Sequence, residues 1–365
     1  MSLEKYYESP SAEHAISGLI QAVELMKPRL PTRKNRLVQQ SLRTPKTSLE
    51  RRQATCNDSA FDDLHNLSAT GQEDDTVLYL GYGSNLAAET FLGRRGIRPL
   101  SQVNIVAPAI SLTFDLPGIA YSEPCFGNCR YRPTTDNPDH TSPPYHKNAW
   151  KKGLVGVVYE VTKKDYAHII ATEGGGSGYH DVLVDCYELD SDPSLEVPTE
   201  PTGTPFKAHT LYAHRAKALR PDPDYAQPSA RYLKLITDGA EEHQLPAEYR
   251  HFLKNIRTYH ATTIQQQLGS FVFLSVWAPL FLFFFGGGKI FLRRDGTYPK
   301  WFAVFSNAVF TACWASYDGF FQPLFGDGER TIGDDLDKGE GYSAGVESEK
   351  TPLLRKHDPS SCDQV

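Results

Sequence analysis

Two glycine-rich stretches concentrate the reactive potential of this chain. The first is Val77-Leu78-Tyr79-Leu80-Gly81-Tyr82-Gly83-Ser84-Asn85-Leu86. Val77 to Leu80 are apolar and rich in β-formers, fit for a buried strand. Gly81 and Gly83 then free the backbone for a tight turn, which Ser84 and Asn85 can shape. Such a turn can aim several backbone N–H groups at one small anion. It is not a nucleotide-binding loop, because no Lys-Ser/Thr pair follows the glycines. Nor is Ser84 a nucleophile of the G-x-S-x-G kind, since its flanking pattern differs. The second stretch is Thr172-Glu173-Gly174-Gly175-Gly176-Ser177-Gly178-Tyr179. A lone glutamate is usually a solvated surface group. Here three glycines follow Glu173 and remove side chains that would block a substrate.

The elements around these stretches read as a mixture of strands and helices. Leu154 to Val161 is a strand apolar on both faces, as in a closed or covered sheet. Thr162 caps a helix running to Ile170. Val182 to Tyr187 and Ala208 to His214 are further strands. Ile105 to Phe114 is β-like, with Pro108 at an edge or bulge, and Pro117-Gly118 marks a turn. Residues 133–148 form a proline-bearing loop. Two amphipathic helices follow, Ser229 to Ala240 and Ala247 to Ile256, with Leu245-Pro246 between them. Strands dominate and helices fall irregularly, which favours an α+β fold around a small barrel over a doubly wound sheet.

The termini differ in composition. Residues 1–75 are polar and poor in aromatics, and predict a disordered arm with one short helix at Ala12 to Met26. Residues 76–260 form the central domain, and residues 261–325 a membrane-associated region. Leu268 to Phe285 is free of charge, and as a helix it would be about 27 Å long. It predicts a transmembrane helix, followed by a second apolar segment over 301–316. Residues 326–365 read as a disordered acidic tail. The N-terminus has no secretory pattern, so the expectation is a membrane-anchored protein with its central domain in the cytosol.

Composition narrows the function. A net charge of −6 argues against a general nucleic-acid binder. Cys125 and Cys129 lack a second Cys/His pair, so zinc is not expected.

Tyr82-Gly83-Ser84-Asn85-Leu86 after an apolar strand resembles the signature of the γ-glutamyl cyclotransferases. The Glu173 stretch resembles the place where that family carries its carboxylate, and Gly153 to Val161 the strand before it. The resemblance covers roughly Thr76 to Ile256. It implies a small mixed β-barrel flanked by helices and formation of 5-oxoproline from a γ-glutamyl substrate. It implies Glu173 as general base and acid, and no metal or other cofactor. Tyr82, Gly83, Ser84, Asn85 and Leu86 are then expected near substrate, as are Tyr179 and Tyr212. The partners expected are a small γ-glutamyl compound and a membrane, with a homodimer left open. The rival reading is a catalytically inactive, membrane-tethered binding module or scaffold of the same fold.

Overall fold

The computed structural model describes residues 31–61, 75–132, 146–172, 179–213, 220–222, 224–291 and 300–332. The helix expected at Ala12 to Met26, most of the proline loop and residues 333–365 lie outside these.

A five-stranded sheet closes on itself. Its strands are β1 (Thr76–Gly81), β2 (Ser101–Ala107), β5 (Leu154–Thr162), β6 (Tyr179–Glu188) and β7 (Phe206–Ala213). Around the barrel the order is β1-β5-β2-β6-β7. Every pairing is antiparallel except the closure, where β7 meets β1 in parallel at Tyr79 and His209. Closure explains why β5 is apolar on both faces, because one face fills the barrel and the other is covered. Gly156 of β5 sits where a Cβ would come within 2.6 Å of the Gly81 carbonyl oxygen. The close approach of the end of β1 to β5 therefore requires glycine there.

A second, two-stranded sheet pairs β3 (Ile110–Ile119) with β4 (Glu123–Tyr131). This corrects two expectations. The stretch 105–114 is not one strand, because the chain turns at Pro108 and Ala109 and divides β2 from β3. Pro117 and Gly118 lie within β3, and the reversal falls later, where Tyr121 takes φ 63°.

Helices α1 (Pro31–Ser41) and α2 (Leu49–Gln53) precede the barrel. The expectation of a disordered arm is wrong for residues 31–61. Leu37 is buried beside Gly93. Arg51 Nε lies 2.9 Å from Glu160 Oε1, Arg52 and Lys46 pair with Glu188, and the Phe61 N–H donates to Asp181 at 2.8 Å. Partial burial would raise the Glu160 pKa, but hydrogen bonds from Ser101, Thr76 and Arg51 outweigh it and hold the carboxyl below its usual range. Composition alone undervalued this arm, because its partners are ionic and distant in sequence.

After β5 comes α3 (Lys163–Thr172), its first turn capped by Thr162, whose Oγ1 accepts the Asp165 N–H at 3.0 Å. The two amphipathic helices appear as α4 (Ala230–Glu242) and α5 (Ala247–Asn255). The C-terminal apolar segments fold as α6 (Ile264–Phe291), α7 (Lys300–Ser316) and a short α8 (Gln322–Phe325). Among the described residues no helix is long and apolar enough to cross a membrane. The span expected over 268–285 is therefore corrected to one arm of a helical hairpin. Phe273, Trp277 and Phe281 of α6 form a buried stripe; Phe273 rests on Tyr317 and Phe321, and Phe281 on Phe310 of α7. Three glutamines, Gln265 to Gln267, make its first turn polar.

Candidate functional site

The signature stretch supplies both a strand and a turn. β1 is buried from Val77 onward and ends at Gly81. Ser84, Asn85 and Leu86 then form a single tight turn. The Leu86 and Ala87 N–H groups bond back to the Gly83 and Ser84 carbonyls at 3.1 and 3.3 Å. The first amides of a helical turn have no carbonyl partner inside it, so those at the start of this turn are not taken up by its own carbonyls.

Asn85 holds this turn. Its Nδ2 donates to the Tyr79 hydroxyl at 2.8 Å, and its Oδ1 accepts from Arg95 Nε at 2.7 Å. Below it lies a buried pair, with Tyr159 Oη 2.9 Å from His243 Nε2 and 3.5 Å from the Asn85 carbonyl oxygen. Burial pushes His243 down to about 4, against a smaller opposing effect from its hydrogen bond to the Leu86 backbone. Burial also pushes the Tyr159 hydroxyl well above the usual phenol range.

A cleft opens over the turn. Its empty volume, open solvent included, is about 340 Å³. Tyr79, Tyr82, Gly83, Ser84, Asn85, Gly127, Tyr179, Leu211 and Tyr232 line it. The Tyr82 hydroxyl donates to the Leu211 carbonyl at 2.9 Å, and burial raises its pKa well above that of a free phenol. Beside it, burial pushes the Cys129 thiol up to about 12, so this cysteine is no thiolate nucleophile at neutral pH. Tyr232 enters from α4. Ser229 caps that helix by accepting the Tyr232 N–H at 3.0 Å, and the Tyr232 hydroxyl accepts the Gly127 N–H at 2.9 Å. A Cβ on Gly127 would meet that hydroxyl at 2.9 Å, so glycine lets β4 approach Tyr232. Four tyrosines with Ser84 and Asn85 make a cleft suited to a small, polar, hydrogen-bonding ligand.

The expected residues divide into three groups. Tyr82, Gly83, Ser84, Asn85 and Tyr179 are brought together on the cleft. Leu86 and Tyr212 are not. Leu86 is fully buried against α4, where a Cβ on Gly239 would collide with the Leu86 backbone. Tyr212 alternates with cleft-lining Leu211 on β7 and turns to the other face, its ring 5.1 Å from the Arg130 guanidinium and 6.0 Å from Tyr131. Glu173 lies outside the described residues, six positions before cleft-lining Tyr179. Sequence reading missed Tyr79, Gly127, Leu211 and Tyr232. Tyr232 was visible only as one member of an apolar helix face. β4 escaped notice because Pro124, Gly127 and Asn128 spoil its strand pattern. Among the described residues no group of three or more His, Cys, Asp or Glu side chains could hold a metal ion.

A closed mixed barrel with a small polar cleft at the end of its first strand defines an α+β fold. The chain is 30% identical over 266 residues to the γ-glutamyl cyclotransferase aclK of Aspergillus oryzae, spanning 70% of this chain and 91% of that protein. It is 28% identical over 262 residues to the γ-glutamyl cyclotransferase gliK of Aspergillus fumigatus, spanning 69% and 89%. Residues 263–324, the helical hairpin, match the family described as the AclK C-terminal domain. A solved γ-glutamyl cyclotransferase structure, 19% identical, overlaps 54% of this chain and 98% of its own with a TM-score of 0.36. The chain belongs to the γ-glutamyl cyclotransferase family.

Proposed function

We propose that this protein releases 5-oxoproline from γ-glutamyl amino acids or from γ-glutamyl conjugates derived from glutathione. The observation that carries the reading is the cleft, where the Gly83–Asn85 turn faces Tyr79, Tyr82, Tyr179 and Tyr232 in a member of this family. In the proposed reaction the substrate α-amine attacks its own γ-carbonyl carbon. A five-membered ring closes, the bond from the γ-carbon to the departing nitrogen breaks, and an amine leaves. The nucleophile is tethered to its target, so the protein gains mainly by holding the chain coiled.

The α-amine arrives as an ammonium and must lose a proton, while the leaving amine must gain one. Glu173 is assigned both transfers, first as base and then as acid. The Gly83 and Ser84 amides are assigned to the substrate carboxylate or to the oxyanion formed at the γ-carbonyl. The chemistry calls for no metal, nucleotide or redox group.

The test is a panel of γ-glutamyl dipeptides, glutathione and glutathione S-conjugates, assayed for 5-oxoproline. Glu173→Gln keeps size and removes the basic oxygen, so turnover should fall by about 10²- to 10⁴-fold while the melting temperature holds. Near-normal turnover in that variant would remove Glu173 from the mechanism. Failure of the whole panel with folded wild-type protein would favour a binding module instead.

A further inference from the structure

The barrel closes along a thin seam, and a buried polar cluster sits on it. Among the described residues β7 meets β1 in a single ladder pair, Tyr79 with His209, whereas β1 pairs with β5 from Thr76 to Gly81. The cleft straddles this seam, since Tyr79 comes from β1, Tyr179 from β6 and Leu211 from β7. Strand alternation and the β6–β7 register put Tyr179, Asp181, His209 and Leu211 on one face. Asp181 and His209 therefore stand two residues along from the cleft wall, on its side of the sheet.

Asp181 gathers three elements at that point. Its Oδ1 accepts from the Tyr166 hydroxyl of α3 at 2.5 Å. Its Oδ2 accepts the Phe61 N–H at 2.8 Å and lies 2.8 Å from Nδ1 of His209 on β7. The Tyr166 ring centre is 5.7 Å from that of Tyr79, and the Phe61 ring stacks on the His209 imidazole at 4.6 Å and 19°. The arm before Phe61 follows the same strand. Thr55 Oγ1 accepts the Lys207 N–H at 2.9 Å, and the Arg52 guanidinium lies 5.7 Å from the Phe206 ring centre. Asp181, His209 and Tyr166 are all buried. A buried polar network whose members are satisfied rigidifies what it joins. The reaction proposed above uses none of these groups directly. We propose that Asp181 is a positioning residue, which through His209 and Tyr166 sets the spacing of Tyr79 and Tyr179 across the cleft, and that Phe61 makes the N-terminal arm part of this support. Its kinetic consequence rests on the function proposed above; its structural consequence does not.

Full-length Asp181→Asn, Tyr166→Phe and Phe61→Ala test this by amide hydrogen exchange and by 5-oxoproline kinetics. Asp181→Asn keeps the shape but turns one accepting oxygen into a donor. In each variant, exchange should quicken several-fold over residues 79–86 and 179–183 and stay as in wild type over α5. In the turnover assay kcat/KM should fall on the order of tenfold to a hundredfold, mostly through KM, at a temperature where the variant is fully folded. Phe252→Leu is the control. It loosens a contact with Trp150 outside the cleft, and should lower the melting temperature and leave KM alone. Wild-type KM in folded Tyr166→Phe and Phe61→Ala overturns the proposal, as does exchange that quickens evenly along the chain; either makes the cluster a source of stability only. If Asp181→Asn does not fold, the two milder variants decide. If wild type turns over no γ-glutamyl compound, the proposed function fails and the exchange pattern alone decides the role of Asp181.

Discussion

Asn85 spends both ends of its amide inside the protein, on the Tyr79 hydroxyl and on Arg95. Ser84 forms part of the cleft wall, and its hydroxyl is not needed to keep the turn's amides in place. Asn85→Ala should therefore destabilise the fold by about 1–3 kcal/mol, the cost of orphaning buried polar partners, and should lower turnover with it. Ser84→Ala should leave the urea midpoint within error and cost less activity than Glu173→Gln. His243 gives a pH signature. Its folded pKa is depressed to about 4 from 6.5, so only the unfolded chain takes up a proton between these values. The stability it contributes is complete above about pH 6.5 and is lost as pH falls toward 4, amounting to about 3 kcal/mol. Melting curves across that window should show the loss, and His243→Gln should remove that component of the pH dependence. An unchanged slope in the variant would mean that another group titrates there.

The cleft depends on how closely α4 lies against the signature turn. Gly239 faces the Leu86 backbone so tightly that any Cβ would collide with it. Backbone cannot swing aside, so the helix must move. Tyr232 rides two turns earlier on that helix and would withdraw from Gly83 and Gly127. Gly239→Ala is expected to cost about 1–3 kcal/mol in chemical denaturation and to raise KM more than it lowers kcat. Gly319→Ala is the control, because a Cβ there meets nothing within 4 Å. If both substitutions behave alike, close packing of α4 does not shape the cleft.

Residues 326–331 tie the hairpin back to the β3–β4 turn and to the segment before α4. The Tyr121 N–H donates to the Gly328 carbonyl and the Gln227 N–H to the Glu329 carbonyl, at 2.6 and 2.9 Å. The buried Arg220 guanidinium pairs with the Glu329 carboxylate and lies 4.3 Å from the Trp314 ring centre. Gln227 stands two residues before Ser229, the cap of the helix that carries Tyr232. The C-terminal region thus shares in positioning the cleft, where sequence reading set the boundary of the central domain at residue 260. Truncation after Ile332 should leave the melting curve unchanged. Truncation after Phe325 removes Glu329 and leaves Arg220 only its pair with the more exposed Asp318, so stability should fall, by less than the roughly 3–5 kcal/mol of a fully broken buried pair. Equal stability of the two truncated chains would show that the strap carries no load.

The sequence by itself determined whatever depends on neighbours along the chain. The apolar run of β1 and its glycine turn, the Thr162 and Ser229 caps, and the periodic faces of α4 and α5 are local, and were legible because local sterics and hydrogen bonds specify them. Five cleft residues were legible too, since they lie in the two glycine-rich stretches. Tertiary structure alone decided the rest. Tyr232 and Gly127 reach the cleft only because α4 and β4 converge there from more than a hundred residues apart. Tyr212 leaves it because barrel register assigns alternate residues of β7 to opposite faces. Apolarity alone could not say whether α6 would cross a membrane, since hydropathy counts carbon and ignores which stripe of a helix another helix will cover.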